Sequence, residues 1–188
     1  MSTILEWLAI GDLTFDGQAN EVVALVNENI RLLPDLVDAL TNPSDVIRGH
    51  AEDALEKVAR QHPETVAGHL SALLHTAQND PVPMVRWHIA MTLGHLAASP
   101  KHKDDIADTL LALLHDKSVF VQSWAISSLC VLARLHPEHA AEITQAIADL
   151  SNSPSSAVRS RVRKALTILT DPKASFPKGW IKGPQIKL

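Results

Sequence analysis

One twelve-residue pattern occurs four times, and its spacing leaves few folds open. The copies run over Ile47–Val58, Val85–Leu96, Val121–Leu132 and Val158–Leu169. They start 38, 36 and 37 residues apart. Each has an aliphatic residue at position one (Ile47, Val85, Val121, Val158) and a small or aliphatic one at position five (Ala51, Ile89, Ala125, Val162). Each also has Leu at position nine (Leu55, Leu93, Leu129, Leu166) and an aliphatic residue at position twelve. Steps of four, four and three place those side chains on one stripe of an α-helix. A helical stripe that returns every 36–38 residues predicts a stack of helical units rather than a single closed core. The four leucines at position nine should be buried at equivalent places.

Between these stripes lies a second helical pattern. It carries Leu33, Leu36, Val37 and Leu40, then Val66, Leu70, Leu73 and Leu74, then Ile106, Leu110, Leu111, Leu113 and Leu114, and last Ile143, Ile147 and Leu150. Polar turns separate the two helices of each pair: Thr41–Asp45, Gln78–Pro83, His115–Ser118 and Ser151–Pro154, three of them with proline. Asp45 and Ser118 are the N-cap candidates. Between pairs, His62-Pro63-Glu64 returns as His136-Pro137-Glu138. Proline at the first helical position with Glu behind it is a helix start, so these His-Glu groupings read as structural. The fold class is all-α, an α-solenoid of about four helix pairs over residues 30–170.

Two segments stand outside the repeat. Residues 1–29 contain a short amphipathic stretch over residues 2–10 and a second helix expected to start near Asp16-Gly17. A stack needs an atypical unit over its first apolar side, and residues 1–29 suit that role as an N-terminal helical cap. Residues 171–188 are too rich in Pro and Gly for a helix and form an extended, basic C-terminal tail. Phe176, Trp180 and Ile181 favour docking of that tail, because a solvated one rarely carries three large apolar side chains.

Charge divides the chain in the same place. Residues 1–150 hold 9 Lys and Arg against 20 Asp and Glu, whereas residues 151–188 hold 8 against 1. An apolar fraction of 46% with 20% charged residues suits a folded protein. No apolar run approaches the ~20 residues of a membrane span. Met1–Trp7 lacks a basic leader, so no membrane association or export is expected and the cytoplasm is the expected compartment. Cys130 is the single cysteine and sits inside the third stripe, where it reads as a small helix residue.

The repeated residues resemble those of the HEAT repeat family over about residues 30–170. Repeats of that family are antiparallel helix pairs of this length, with an aliphatic-Arg pair opening the second helix and an Asp six residues earlier. The resemblance implies a ladder of those Asp and Arg side chains between neighbouring repeats. The corresponding residues here are Asn42 and Arg48, Asp80 and Arg86, Asp116 and Gln122, and Ser153 and Arg159. Only the second repeat has both members. The family is mostly one of scaffolds and adaptors, and the resemblance implies such a role here.

The sequence offers little chemistry. It has no His-Glu-x-x-His, Cys-x-x-Cys, Gly-rich phosphate loop or Gly-x-Ser-x-Gly. His88 and His95 lie two helical turns apart, about 10 Å along the axis, too far for one metal ion without a third element. Neither a catalytic residue, a metal nor a cofactor is therefore expected. The runner-up is a nucleic-acid-binding protein with a groove like that of the HEAT-like alkylpurine DNA glycosylases, echoed in Trp87, Trp124, Arg161 and Lys164. The acidic balance of residues 1–150 argues against it, since a DNA groove should be basic along most of its length.

The expected function is non-catalytic, protein–protein interaction by a scaffold or adaptor. Opposite the buried stripe of each second helix fall positions three, seven and ten, flanked by four and eleven. In a HEAT-like stack that side lines the concave face. It carries Trp87, Met91, His95, Trp124, Ser127, Arg161 and Lys164, with Gly94 leaving room for an inserted side chain. Trp and Met on an exposed face suit a protein anchor. A peptide or helix crossing the middle section, with an acidic portion toward Arg161 and Lys164, is the expected partner. Trp180 in the tail is a further contact candidate.

Overall fold

Proline and serine punctuation sets the helix starts. In the computed structural model, which describes residues 3–15, 17–184, 186 and 188, α1 spans Thr3–Leu8 and α2 spans Ala19–Glu28. The expected start of α2 at Asp16 lies outside the described residues, and the helix begins three residues later. Then follow α3 (Leu33–Asp38), α4 (Asp45–Ala59), α5 (Pro63–Ala67), α6 (Leu70–Asn79) and α7 (Pro83–Leu96). The rest are α8 (Lys103–Leu113), α9 (Val119–Leu135), α10 (Ala140–Ala148) and α11 (Ser156–Thr170). The described residues include no strand, and no helix among them is long and apolar enough to cross a membrane.

The cap of α4 is Ser44, whose hydroxyl accepts from the Ile47 amide at 3.5 Å; Asp45, the sequence candidate, is instead the first helical residue. Ser155 caps α11 in the same way. Ser118 does precede α9, but its hydroxyl makes no cap bond; Asp116 Oδ1 accepts from the Ser118 amide at 2.7 Å. The first helices are less regular than their apolar spacing predicts. In the second repeat the helix breaks at Gly68-His69 into α5 and α6, and the first and fourth repeats mix α with short 3₁₀ turns. Gly68 forms helix poorly, which places the break.

The second helices α4, α7, α9 and α11 stack side by side in chain order, while α6 and α8 pack together behind them and α2 covers α4 at the N-terminal end. The recurring stripe is the seam of this stack. Leu55, Leu93 and Leu129 are all fully buried. Leu166, expected to match them, is only half-buried, because α11 has no fifth helix pair to cover its outer side. The solenoid of four helix pairs is thus present with its last unit open on one side.

A buried histidine ties the N-terminal helices to the stack. His50 on α4 places Nδ1 2.8 Å from the Leu8 carbonyl and Nε2 2.8 Å from that of Phe15, so the turn after α1 is fastened to the first repeat.

The second position of every recurring pattern, in the first turn of its helix, closes the turn before it. Arg48, Arg86, Gln122 and Arg159 donate to the carbonyls of Asn42, Asp80, Asp116 and Ser153, each six residues earlier, at 2.6–2.9 Å. The two arginines among them with an Asp in the next repeat also reach forward. Arg48 pairs with Asp80, and Arg86 with Asp116, both at 2.6 Å. The ladder therefore has two rungs, not the single repeat that a comparison within each unit picks out. Its pairs run from one repeat to the next, 32 and 30 residues apart. Gln122 is too short and uncharged to extend it, and Ser153 offers no carboxylate.

Candidate functional site

The side chains opposite the buried seam form one face across α4, α7, α9 and α11. It does not stand open as the helical geometry alone implies. Met91, His95 and Ser127 are buried, and Trp87, Trp124 and Arg161 are half-buried; only Lys164 of the seven helical candidates is exposed. Two things cover them: neighbouring second helices, and residues 172–184 of the tail, which double back over the face.

Arg134, near the end of α9, holds the root of that return. Its guanidinium donates to the carbonyls of Pro172 at 2.9 Å and Ile168 at 3.0 Å, with longer bonds to Asp171 and Ala174. It also stacks over the Phe176 ring at 5.3 Å. Farther along, Trp180 turns inward and is buried to 8% exposure although Lys178 and Gly179 beside it are exposed. Arg161 lies 4.8 Å from the centroid of Trp180 and 5.3 Å from that of Trp124, so its guanidinium is held between two indoles. Its Nη1 also donates to Ser127 Oγ at 3.0 Å. Burial lowers the pKa of Arg161. An acidic partner segment was the expectation for Arg161, but aromatic faces occupy it.

The Lys182 ammonium sits 4.8 Å over the Trp124 ring. Beyond it, Gly183 lies against His95 and the Arg60 carbonyl: a Cβ there would come within 3.2 Å of His95 Nδ1. The tail thus touches the second helices of all four repeats. Under it, lined by Met91, Gly94, Trp124, Val131, Trp180 and Ile181 among others, remains about 10 Å³, room for roughly one water. Docking is what Phe176, Trp180 and Ile181 had suggested. The location, across the proposed partner face rather than along the last repeat alone, was not legible from composition.

Gly94 does not offer space to a partner. Ser128 of α9 fills it, its hydroxyl donating to the Ala90 carbonyl at 2.6 Å.

The acidic part of the face is built on α4. Glu56 is buried beside His95, whose Nε2 lies 2.9 Å from Glu56 Oε1, and beside Arg60. Burial pushes the Glu56 carboxyl up, but the hydrogen bonds from His95 and Arg60 outweigh it and hold the pKa at about 2. Asp53 pairs with Lys57 at 2.7 Å and faces His88 at 3.6 Å. His88 is lowered to about 4 by burial, against the pull of Asp53 and Glu56. Glu52, fully buried, is raised by burial although the Thr92 hydroxyl donates to it at 3.1 Å. Burial also raises the Cys130 thiol to about 12. Among the described residues, no three His, Cys, Asp or Glu side chains gather closely enough to hold a metal ion.

Trp87 belongs to a different part of the surface. Its ring meets Phe120 at 5.1 Å and His88 at 5.5 Å. With Leu13, Phe15 and Met84 it borders an open hollow of about 340 Å³ between the turn after α1, the middle of α4 and the start of α7. Phe15 and Phe120 are more than 60% exposed, which makes this the apolar part of the face that the tail leaves uncovered. Phe15 and Phe120 were missed from sequence because Phe15 lies outside the repeat and Phe120, although three and four residues before Ser123 and Trp124 on α9, precedes the first position of the recurring pattern. The glycosylase-like grouping does not come together as one groove: Trp124 and Arg161 meet each other, while Trp87 is committed to Phe120 and His88.

Comparison with known proteins gives the fold a family. No curated protein sequence matches this chain. Solved structures do. A designed armadillo repeat protein, YIII(Dq)4CqI, is 20% identical over 88% of this chain and 80% of its own, with a TM-score of 0.61. A computationally designed armadillo repeat protein for modular peptide recognition reaches 0.63 at 18% identity, covering 88% and 80% of the two chains. A third, YIII(Dq.V1)4CPAF in complex with peptide (KR)4, reaches 0.60 at 20% identity over 88% and 72%. At such identities the likeness concerns the fold alone. The family profile for HEAT repeats matches residues 33–130. More than half of the chain carries that match, and the protein belongs to the HEAT repeat family.

Proposed function

We propose that this chain is a non-catalytic protein-interaction module, a scaffold or adaptor that takes an extended peptide segment of its partner across the concave face. One observation supports the reading above others: the face holds an extended, non-helical segment, gripped by Trp124, Arg161 and His95 rather than incorporated as another helix. Rigid indoles beside adaptable Met91 are the side chains that anchor peptides on protein surfaces. Trp87, with Phe120 and Phe15, extends the contact surface past the covered part. The designed armadillo neighbours, one described as made for peptide recognition and one solved with a peptide, are consistent with such use of a stack of this shape.

The experiment is a peptide-library selection on the full chain carrying Trp180→Ala, followed by anisotropy titration of the recovered peptides. Trp124→Ala added to that chain should weaken them by about tenfold or more, as loss of an aromatic anchor does, with helicity by circular dichroism unchanged. Recovery of no binding peptide, or affinities indifferent to both Trp124→Ala and Trp87→Ala, refutes the proposal.

A further inference from the structure

Resting on that reading of the face, we infer that residues 172–184 are its intramolecular ligand, and that the partner is an extended segment with the same order of chemistry: an aromatic residue, an apolar one, a lysine, then a glycine. The two compete for one surface.

Each element of that order answers to something on the face. Trp180 is the only buried side chain between Asp171 and Lys182, and it enters beside Arg161, whose guanidinium supplies a cationic surface at 4.8 Å. An indole meets a guanidinium face to face at low desolvation cost. Two residues later the polarity reverses: Lys182 brings the cation and Trp124 the ring, at 4.8 Å. In an extended chain, residues two apart point the same way, so both side chains address the face, and Ile181 between them in sequence is partly buried against the core. The charges around Lys182 are mixed. Glu56 and Asp53 draw it in, and Arg60 and Lys57 oppose them. Recognition of the lysine therefore rests on the Trp124 ring first. Gly183 follows because the backbone there runs against His95, and a side chain would have to displace the imidazole that is bonded to Glu56.

The segment is a ligand rather than a missing helix. The seam of the solenoid is complete without it, since Leu55, Leu93 and Leu129 are sealed by the helices themselves. Its own residues Lys178, Gly179, Lys182 and Pro184 stay exposed, and it has no regular secondary structure. A segment with so little burial per residue opens at far lower free energy than the helices beneath it. Arg134 keeps its root in place when the rest departs, which sets a short tether and hence an effective concentration on the order of 1 mM. If the same sequence binds in trans with a Kd of about 10 µM, the intact chain should bind it about 100-fold more weakly, because only about 1% of faces are free.

The test uses a fluorescein-labelled peptide with the sequence of residues 174–188, titrated into three full-length chains: unaltered, Trp180→Ala and Lys182→Glu. The second variant changes no residue of the helical face, so it serves where Trp180→Ala perturbs folding; melting curves verify both. The peptide should bind each variant at least tenfold more tightly than the unaltered chain. A peptide with Ala in place of its Trp should bind none. Equal affinity for all three chains overturns the competition. Binding of library-selected peptides but not of this one overturns the inference and leaves the proposed function standing; failure of both removes both. A concentration-dependent dimer of the unaltered chain that Trp180→Ala abolishes also overturns it, because the tail would then occupy the face of a second copy.

Discussion

Second helices α7 and α9 approach closely at Gly94, and replacing it with alanine gives a quantitative check on their packing. A Cβ at that position would stand 2.9 Å from Ser128 Cβ and nearer still to Ser128 Oγ. Real Cβ atoms do not sit so close, so either Ser128 rotates away or the helices part. Rotation breaks the bond from Ser128 Oγ to the Ala90 carbonyl and strands a buried hydroxyl, at about 1–3 kcal/mol. Separation loosens a close-packed seam, at a similar cost of about 1–3 kcal/mol. Against either stands the better helix propensity of Ala over Gly, about 1 kcal/mol. The expected net loss is about 0–2 kcal/mol, or a melting temperature lower by up to roughly 8 °C for a chain of this size. Urea unfolding followed by circular dichroism at 222 nm measures it. Adding Ser128→Gly removes both offending atoms and leaves only the Ser128 Cα at 3.4 Å. The double variant should then recover a coupling of about 1 kcal/mol or more beyond the sum of the single changes. Gly94→Ala that stabilises the protein by its propensity gain, with no coupling to position 128, would refute the close approach.

Three further outcomes follow from the surroundings of single side chains. His88, set amid Asp53, Glu56, Lys57 and Lys182, is neutral in the fold with its pKa at about 4, whereas in the unfolded chain it titrates near 6.5. The unfolded state therefore takes up a proton first as pH falls, and stability present above pH 6.5 should decline toward pH 4 by about 3 kcal/mol. His88→Gln should flatten the urea midpoint between pH 6.5 and 4.5, and an unchanged slope there counts against the burial of the ring. Glu56 acts in a lower window, its stabilisation present above about pH 4.5 and lost toward pH 2. Leu93→Ala should cost about 2–5 kcal/mol as a sealed core position, while Leu166→Ala, half-exposed on α11, should cost roughly half as much. Equal losses in thermal unfolding would contradict the open last repeat.

The repeat register was legible because burial along a helix follows a fixed period. Ile47, Val85, Val121 and Val158 recur at that period, and the second helices begin within two residues of them. The same period names the face opposite the seam, so Trp87, Met91, Trp124 and Arg161 could be placed on one side without coordinates. What periodicity lacks is any term for contact between segments far apart in the chain. Lys182 reaches Trp124 across nearly sixty residues, and only the path set by Arg134 brings it there. Periodicity likewise cannot tell that Gly94 is filled by Ser128 from α9, nor that Arg48 looks forward to Asp80 instead of back to Asn42 for its carboxylate. The half-exposure of Leu166 is an end effect, invisible to a pattern that treats all four copies alike.

The uneven ladder has a mechanical consequence. A stack of repeats bends like a coil spring, each interface contributing its own stiffness. Arg–Asp rungs reinforce the first interface and the second, whereas the third, where Gln122 stands in place of an arginine, is bridged at the inter-repeat turns by Lys103 to Glu138 and His139 to Asp104. Residues 172–184 start at the last repeat and finish against Arg60 in the first, so they run as a chord across the arc. While the chord is seated, flexing that flattens the arc must lengthen it, so the strap adds its own restraint to those of the ion pairs. Under the proposed competition, a peptide that lifts the strap removes that restraint, and the solenoid's shape becomes a readout of whether its face is occupied from within or from outside.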